Sequence, residues 1–150
     1  MQISYNGIKA LKEHEGFKAE AYRDTGGVWT IGYGTIKVDS RAIEAGQTCT
    51  REQAEQWLYK DLTWAQTAVN QLVRVQLQQY QYDSLVDFVY NIGENAFSKS
   101  TLLHKLNSSD FIGAAKEFDR WVFDNKRIIP GLVTRRRMER EMFEGPSNHS

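Results

Sequence analysis

The sequence predicts an α+β fold that is mainly helical, with a small β-containing lobe near the amino terminus and a larger helical lobe after it. Apolar residues follow helical spacing through most of the chain beyond residue 50, whereas residues 16–35 carry a hairpin pattern. Between these regions, a capping box at Thr50 opens a helix of about 20 residues, or about 30 Å. A helix of that length is typical of a connection between two lobes, with a binding cleft beside it.

The composition indicates a globular chain rather than a polyelectrolyte. The 150 residues suit one folding unit, and 41% of them are hydrophobic, which is enough for a core. The formal net charge is zero, which argues against dominant phosphate binding. Basic residues nevertheless accumulate near the carboxyl terminus, and such a patch would suit an anionic polymer. They are Arg120, Lys126, Arg127, Arg135, Arg136, Arg137 and Arg140.

The cysteine content and the amino-terminal residues indicate where the chain folds. Cys49 is the single cysteine, so no intrachain disulfide can form, which fits folding in a reducing cytoplasm. We expect Cys49 to be a small buried residue. Residues 1–6 contain neither a basic segment nor an apolar run, so we expect no signal peptide and no transmembrane helix.

The first helix is predicted from about Ile3 to Glu15, and it ends on an unusual residue. Ile8, Leu11 and Glu15 form one stripe of this helix, so Glu15 stands where an apolar residue is expected. Gly16 is a natural helix end. Partial burial and the negative end of the helix dipole both disfavour a charged carboxylate, which suits a general acid.

A hairpin is predicted after this helix, with a possible third short strand. The run from Asp24 to Gly27 reads as the turn, and Val28 to Tyr33 as the returning strand. This geometry aims Asp24 and Thr30 toward the same cleft, and Gly32 and Gly34 leave room for another group to approach the backbone. Taken singly, each residue has an ordinary explanation as a boundary residue, a turn former or a strand residue.

The rest of the chain reads as helices and connections. We expect a loop over 36–49, helices over 78–91 and 100–107, a helix capped by Asp110, a linker over 124–130, a last helix from Gly131, and a disordered tail over 145–150.

Glu15, Asp24 and Thr30, separated by eight and five residues and followed by Ile-Gly-Tyr-Gly, resemble the catalytic signature of the phage-type lysozymes. This endolysin family comprises glycoside hydrolases of the bacteriophage T4 and P22 lysozyme type. The resemblance extends from about Ile3 to about Phe143 and includes the segments 81–85, 91–93, 100–103 and 131–139. One position departs, because the family often has His where this chain has Thr35.

The resemblance implies a lysozyme-like two-lobe domain over 1–150, with lobes at about 16–50 and 65–145 and the first helix, 3–15, packing with the second lobe. It implies an enzyme that hydrolyses the β-1,4 bond between N-acetylmuramic acid and N-acetylglucosamine in bacterial peptidoglycan and so lyses the host cell. Glu15 would be the general acid and Thr30 would position the attacking water. Asp24 would stay ionised, either supporting the oxocarbenium-like transition state and that water or acting as nucleophile.

The expected substrate-binding residues are Tyr33, Ile36, Asn91 and Phe97. No metal or cofactor is expected, and the chain is expected to be a monomer without stable membrane association. By resemblance, it would reach the periplasm and cell wall from the host cytoplasm once a separate holin has permeabilised the membrane.

Several other functions compete with this interpretation. A lytic transglycosylase or a cell-wall binder could use the same scaffold. A zinc amidase would need ligands at metal spacing, and the histidines His14, His104 and His149 do not provide it. A nucleic-acid-binding module could use Arg135, Arg136 and Arg137, although consecutive arginines on a helix point in different directions, so at least one is expected to face the core or to pair with Glu139.

Overall fold

The computed structural model describes residues 1–146, and the chain divides into two compact units. The hairpin unit comprises Lys9–Thr63, and the helical unit comprises Met1–Ile8 and Trp64–Ser150. The predicted α+β class with mainly helical content is confirmed. Most of the expected disordered tail, residues 147–150, lies outside the described residues.

The secondary structure begins with α1, a helix over Tyr5–Glu15. The strands that follow are β1 (Lys18–Arg23), β2 (Trp29–Gly32), β3 (Lys37–Val38) and β4 (Arg41–Ala42), and α2 then spans Arg51–Leu72. The remaining elements are α3 (Gln79–Ile92), α4 (Glu94–Ser98), α5 (Thr101–Asn107), α6 (Phe111–Glu117), a 3-10 turn (Phe118–Arg120), β5 (Phe123–Asp124), β6 (Arg127–Ile128) and α7 (Pro130–Glu144).

The start of α1 is set by Ser4, which caps the helix through both its backbone and its side chain. The backbone carbonyl of Ser4 accepts the first helical hydrogen bond from Ile8 at 3.0 Å. Its side-chain hydroxyl accepts from the Gly7 amide at 3.2 Å, and its own amide donates to Asp83 at 2.9 Å. Because Ser4 is the cap, the helix begins at Tyr5 rather than at Ile3.

The predicted hairpin over 16–35 is confirmed, and its two strands are antiparallel. Tyr22 lies opposite Thr30, and Arg23 lies opposite Trp29. The turn between them includes Gly27 at a φ of 81°, a left-handed conformation that favours glycine. The register shifts between Lys18 and Tyr22, which is a β-bulge or a similar irregularity.

Two segments that we expected to be irregular are short hairpins instead. In the region 36–49, β3 and β4 pair across Asp39 and Ser40, and in the region 124–130, β5 and β6 pair across Asn125 and Lys126. All four turn residues have positive φ values between 49° and 69°. Neither turn contains a glycine, so the usual sequence signal for a tight turn is missing.

The capping box at Thr50 is confirmed by reciprocal hydrogen bonds. The Gln53 amide donates to the Thr50 hydroxyl at 3.1 Å, and the Thr50 amide donates to Gln53 Oε1 at 3.0 Å. The helix α2 that follows has 22 residues, close to the predicted length. None of the helices that the structure describes is both long and apolar enough to cross a membrane.

The core of the helical unit is built around α3, in which every residue from Tyr82 to Tyr90 is buried. The ring of Phe88 lies 5.0 Å from that of Phe118 and 5.7 Å from that of Trp121, both in edge-on geometry. These packed aromatic rings hold α3 against the segment that follows α6.

Two of the arginines that suggested a basic patch are buried in this core. Arg136 is 1% exposed, donates to the Trp121 carbonyl at 2.8 Å, and pairs with Glu139 at 2.7 Å. Arg135 pairs with both Asp87 and Glu139. Burial and the neighbouring Asp87 raise the pKa of the Glu139 carboxyl, and the charges of the two guanidinium groups oppose that rise. The expectation that at least one arginine serves the core is confirmed.

The remaining arginines do not form a uniformly basic surface. Arg140 pairs with Asp119 and Glu144. A cavity of about 580 Å³ in the helical unit is lined by Asp119, Val122, Ile128, Val133, Arg137, Arg140, Glu141 and Glu144. Charges of both signs therefore surround this cavity, so an anionic polymer would meet carboxylates as well as guanidinium groups there.

Replacing Arg136 with Met should lower the free energy of unfolding by about 3–5 kcal/mol, because Glu139 would remain buried without this partner. The matched change Arg137→Met, at the exposed neighbouring position, should cost less than about 1 kcal/mol. Denaturant unfolding of both variants gives these values, and equal losses would show that the buried network contributes nothing special.

Asp61 on α2 should make the stability depend on pH. Burial raises the pKa of its carboxyl to about 6, and the nearby charge of Lys60 opposes the rise. A carboxyl whose pKa is higher in the folded protein stabilises it below the unfolded pKa of about 3.9, and this contribution is lost as the pH rises through about 6.

Asp61→Asn should therefore raise the free energy of unfolding by about 1 kcal/mol at pH values well above 6, a figure reduced for the partial exposure of this residue. The gain should vanish at low pH, where the native carboxyl is also neutral. Thermal unfolding across pH measures the difference, with Glu52→Gln on the same helix as the control. A gain that persists unchanged in acid would contradict the burial argument.

Candidate active site

Glu15 is the last residue of α1, and its position is fixed by the end of the helix. Gly16 follows at a φ of 70°, and its amide donates to the Lys12 carbonyl at 2.8 Å, which closes the final turn. The Glu15 side chain is half-buried. The predicted helix end is thus confirmed, and a carboxyl group stands at it.

The Glu15 carboxyl lies directly against the backbone of Gly34. A Cβ atom built on Gly34 would lie 2.9 Å from Glu15 Cδ, closer than real side chains approach. On Gly32, a Cβ atom would lie 2.9 Å from the Ala54 Cβ. The two glycines of the Gly-Tyr-Gly segment therefore have separate purposes: Gly32 admits α2, and Gly34 admits the Glu15 carboxyl.

Asp24 occupies the first position of the hairpin turn, and its carboxylate is held by the main chain. Its Oδ1 accepts hydrogen bonds from the amides of Gly26 at 2.9 Å and Val28 at 2.8 Å. The Asp24 amide in turn donates to the Val28 carbonyl at 3.0 Å. The turn thus sets the direction of the carboxylate, while the residue itself is exposed.

Thr30 lies on β2 and is attached to the same peptide segment. Its hydroxyl donates to the Val28 carbonyl at 2.9 Å, and the residue is 4% exposed. Val28 therefore bonds the Asp24 carboxylate through its amide and the Thr30 hydroxyl through its carbonyl. A main-chain connection of this kind leaves no signal in the sequence, because any residue except proline supplies these groups.

Tyr22 is a further residue of the candidate site, and the sequence did not single it out. It lies directly opposite Thr30 in the hairpin and is half-buried. Burial raises the pKa of its phenol, and the charges of Glu15 and Asp24 raise it further. Both carboxyl groups therefore lie close enough to Tyr22 to act on its ionisation. Its position two residues before Asp24 on the predicted strand was the available signal.

The four expected substrate-binding residues have different surroundings. Tyr33 is buried, with its ring 5.6 Å from that of Phe17, whereas Ile36 is 44% exposed. In the helical unit, the Asn91 side-chain oxygen accepts from Arg136. Phe97 is 0% exposed, so its ring is a packing group with no surface to offer a substrate.

Thr35 is buried, and Cys49 is half-buried. Thr35 stands at the position where the family often has His, and within the part of the chain that the structure describes its buried hydroxyl has no hydrogen-bond partner. Cys49 is half-buried rather than fully buried, and its amide donates to the Ala19 carbonyl at 2.8 Å. Burial raises the pKa of the Cys49 thiol, which keeps it protonated and unreactive.

Gly34→Ala should displace the Glu15 carboxyl and reduce activity by about 100-fold, since an added methyl group would occupy the space of that carboxyl. Gly46→Ala is the matched control, because Gly46 has a similar φ of 85° and open space around it. Both variants should lose about 1–2 kcal/mol from backbone strain. Lysis rates and thermal unfolding separate the two effects, and equal activities would contradict the close approach.

Comparison with known proteins identifies the family to which this site belongs. Residues 12–139 match the family described as phage lysozyme. The endolysin of Salmonella phage P22 is 45% identical over 144 residues, which are 95% of this chain and 98% of that protein. The endolysin of Acyrthosiphon pisum secondary endosymbiont phage 1 is 39% identical over 148 residues, which are 96% of this chain and 99% of that protein.

Solved structures agree with the sequence relatives. The endolysin from Escherichia coli O157:H7 phage FAHEc1 superimposes with a TM-score of 0.87 at 38% identity, covering 97% of this chain and 94% of that one. The muramidase domain of SpmX from Asticaccaulis excentricus gives a TM-score of 0.84 at 35% identity, covering 97% and 99%. The predicted enzyme class, a lysozyme with a lytic role, is confirmed, and the chain belongs to the phage lysozyme family.

Proposed function

We propose that Glu15, Asp24 and Thr30 are the residues with which this lysozyme hydrolyses the β-1,4 bond between N-acetylmuramic acid and N-acetylglucosamine in peptidoglycan. The observation that carries this proposal is made at the main chain of Val28. Its amide donates to the Asp24 carboxylate, and its carbonyl accepts from the Thr30 hydroxyl, so both groups are oriented together. The Glu15 carboxyl, lodged against Gly34, completes a pair of carboxyl groups in different environments. Glycosidic cleavage requires such a pair.

Glu15 acts as the general acid. It donates its proton to the glycosidic oxygen as the bond from that oxygen to the anomeric carbon breaks, so that the leaving sugar departs with a hydroxyl group. The anomeric carbon then carries developing positive charge. The Asp24 carboxylate stabilises that charge, with Oδ1 held by the turn amides and Oδ2 available to the reaction.

Thr30 positions the water that attacks the anomeric carbon. Because its hydrogen is directed at the Val28 carbonyl, the hydroxyl presents lone pairs to the site, and these accept a hydrogen from a water molecule. Asp24 accepts the proton that this water loses. A water held between Thr30 and Asp24 favours inversion at the anomeric carbon, whereas direct attack by Asp24 would give retention.

The remaining features of the proposal come from the family. The enzyme acts as a monomer without a metal or cofactor, starts in the host cytoplasm, and reaches the cell wall after a separate holin permeabilises the membrane. One relative, of Enterobacteria phage PA-2, is named a SAR-endolysin, is 36% identical over 128 residues, and matches 85% of this chain and 76% of its own length.

Glu15→Gln should abolish lysis while leaving the protein folded, because the amide cannot donate the required proton.

Thr30→Val should reduce the rate by about 100-fold or more through loss of the positioned water. Thr63→Val is the matched control, because the Thr63 hydroxyl also donates to a backbone carbonyl. This carbonyl is that of Tyr59, and the bond lies on the exposed side of α2.

The assay is the clearing of permeabilised Gram-negative cells, with mass spectrometry of the released sugars. Reducing muramic ends support hydrolysis, whereas anhydro ends would establish the transglycosylase alternative. A fully active Glu15→Gln variant would refute the acid assignment, and a fully active Thr30→Val variant would refute the water-positioning role.

A further inference from the structure

We propose that Tyr22 is a fourth functional residue of this site, whose phenolic hydroxyl donates a hydrogen bond to an oxygen of the sugar bound between Glu15 and Asp24. Tyr22 can have this role only if Glu15 and Asp24 act as proposed above. The class of ligand is a neutral glycan ring, because the Asp24 carboxylate would repel an anion.

The hairpin places Tyr22 on the same face as the residues that act on the substrate. Directly opposed residues of antiparallel strands project from one face with Cβ atoms about 4.5–5.5 Å apart, and Tyr22 is opposed to Thr30. Asp24 follows two residues later, at the first position of the turn, where its Oδ1 is held by the Gly26 and Val28 amides. The register irregularity lies before Tyr22, so the pairs Tyr22–Thr30 and Arg23–Trp29 are consecutive and regular.

The electrostatic environment keeps Tyr22 a donor. Burial raises the pKa of its phenol, and Glu15 from α1 and Asp24 from the turn raise it further. From β2, the residue that faces it is Thr30, which does not titrate. A phenol that stays protonated adds no further negative charge beside the Asp24 carboxylate, and it supplies an O–H group to the oxygen-rich substrate.

Tyr22 differs from the tyrosine that has a structural task in the helical unit. Tyr82 is 1% exposed and donates to the Met1 carbonyl at 3.0 Å, so its hydroxyl is committed to the fold. Tyr22 keeps part of its surface accessible to solvent. A side chain with an apolar ring and a polar tip, half-buried beside two carboxyl groups, is suited to contacting a sugar.

The first test compares Tyr22→Phe, which removes only the hydroxyl, with Tyr59→Phe, a control on an exposed tyrosine of α2. Each is assayed for kcat and KM on a soluble peptidoglycan oligosaccharide across the pH range. Tyr22→Phe should lower kcat/KM about tenfold with an unchanged pH profile, whereas Tyr59→Phe should match the native enzyme. An unchanged kcat/KM, or a loss accompanied by a shifted pH profile, would overturn direct donation to the sugar.

The second test measures binding without turnover. Calorimetry with the same oligosaccharide should give about tenfold weaker affinity for Glu15→Gln/Tyr22→Phe than for Glu15→Gln alone. Equal affinities would overturn the proposal. Lysis by Glu15→Gln is a separate outcome, since it would refute the acid assignment itself rather than the contact made by Tyr22.

The third test needs no substrate and reads the environment of the phenol directly. In protein carrying ¹³C-labelled tyrosine, the Tyr22 resonance is identified by its absence from Tyr22→Phe. Its titration midpoint should move to lower pH in Asp24→Asn, because a charge that opposes phenol ionisation is removed. Glu52→Gln should leave the midpoint unchanged. If the titration midpoint of Tyr22 is the same in Asp24→Asn as in the native protein, the phenol does not lie on the same face as the Asp24 carboxylate, and the proposal is overturned.

Discussion

The proposed chemistry depends on the hydrogen bonds of one peptide segment, at Val28. Its amide holds Asp24 Oδ1 at 2.8 Å, and its carbonyl receives the Thr30 hydroxyl at 2.9 Å. The Asp24 carboxylate in the turn and the Thr30 hydroxyl on β2 therefore keep a fixed relation through the main chain of one residue. The hairpin turn provides this relation, and Gly27, in its left-handed conformation, lets the chain reverse tightly enough for both bonds to form.

A second constraint brings the acid to this hairpin. Glu15 ends α1 because Gly16 closes the last helical turn, and its carboxyl fits against the returning chain only because Gly34 has no side chain. Glu15, Asp24 and Thr30 all belong to the unit Lys9–Thr63. The positions of these three groups are thus set locally, by one helix end and one hairpin.

One segment that resembles the family lies in the helical unit and contains a buried network of charges. In the segment 131–139, Arg135, Arg136 and Glu139 form a buried network with Asp87 of α3. A buried network of charges destabilises a protein strongly when one member is lost, because a charge is then left buried without its partner. The segments that resemble the family therefore include residues that stabilise the helical unit as well as the candidate site residues. The burial and contacts of each residue distinguish the two groups.

The sequence alone predicts the fold class, the capped helices and the candidates Glu15, Asp24 and Thr30, because helical spacing, caps and glycine turns are local and periodic signals. It did not reveal the hairpin turns at Asp39 and Asn125, which use non-glycine residues at positive φ. It also missed Tyr22 and the hydrogen bonds that join Val28 to Asp24 and Thr30. It suggested a substrate role for Phe97, which is buried. These points depend on cross-strand register, main-chain hydrogen bonds and burial, which exist only once the chain is folded and which residue types do not encode one by one.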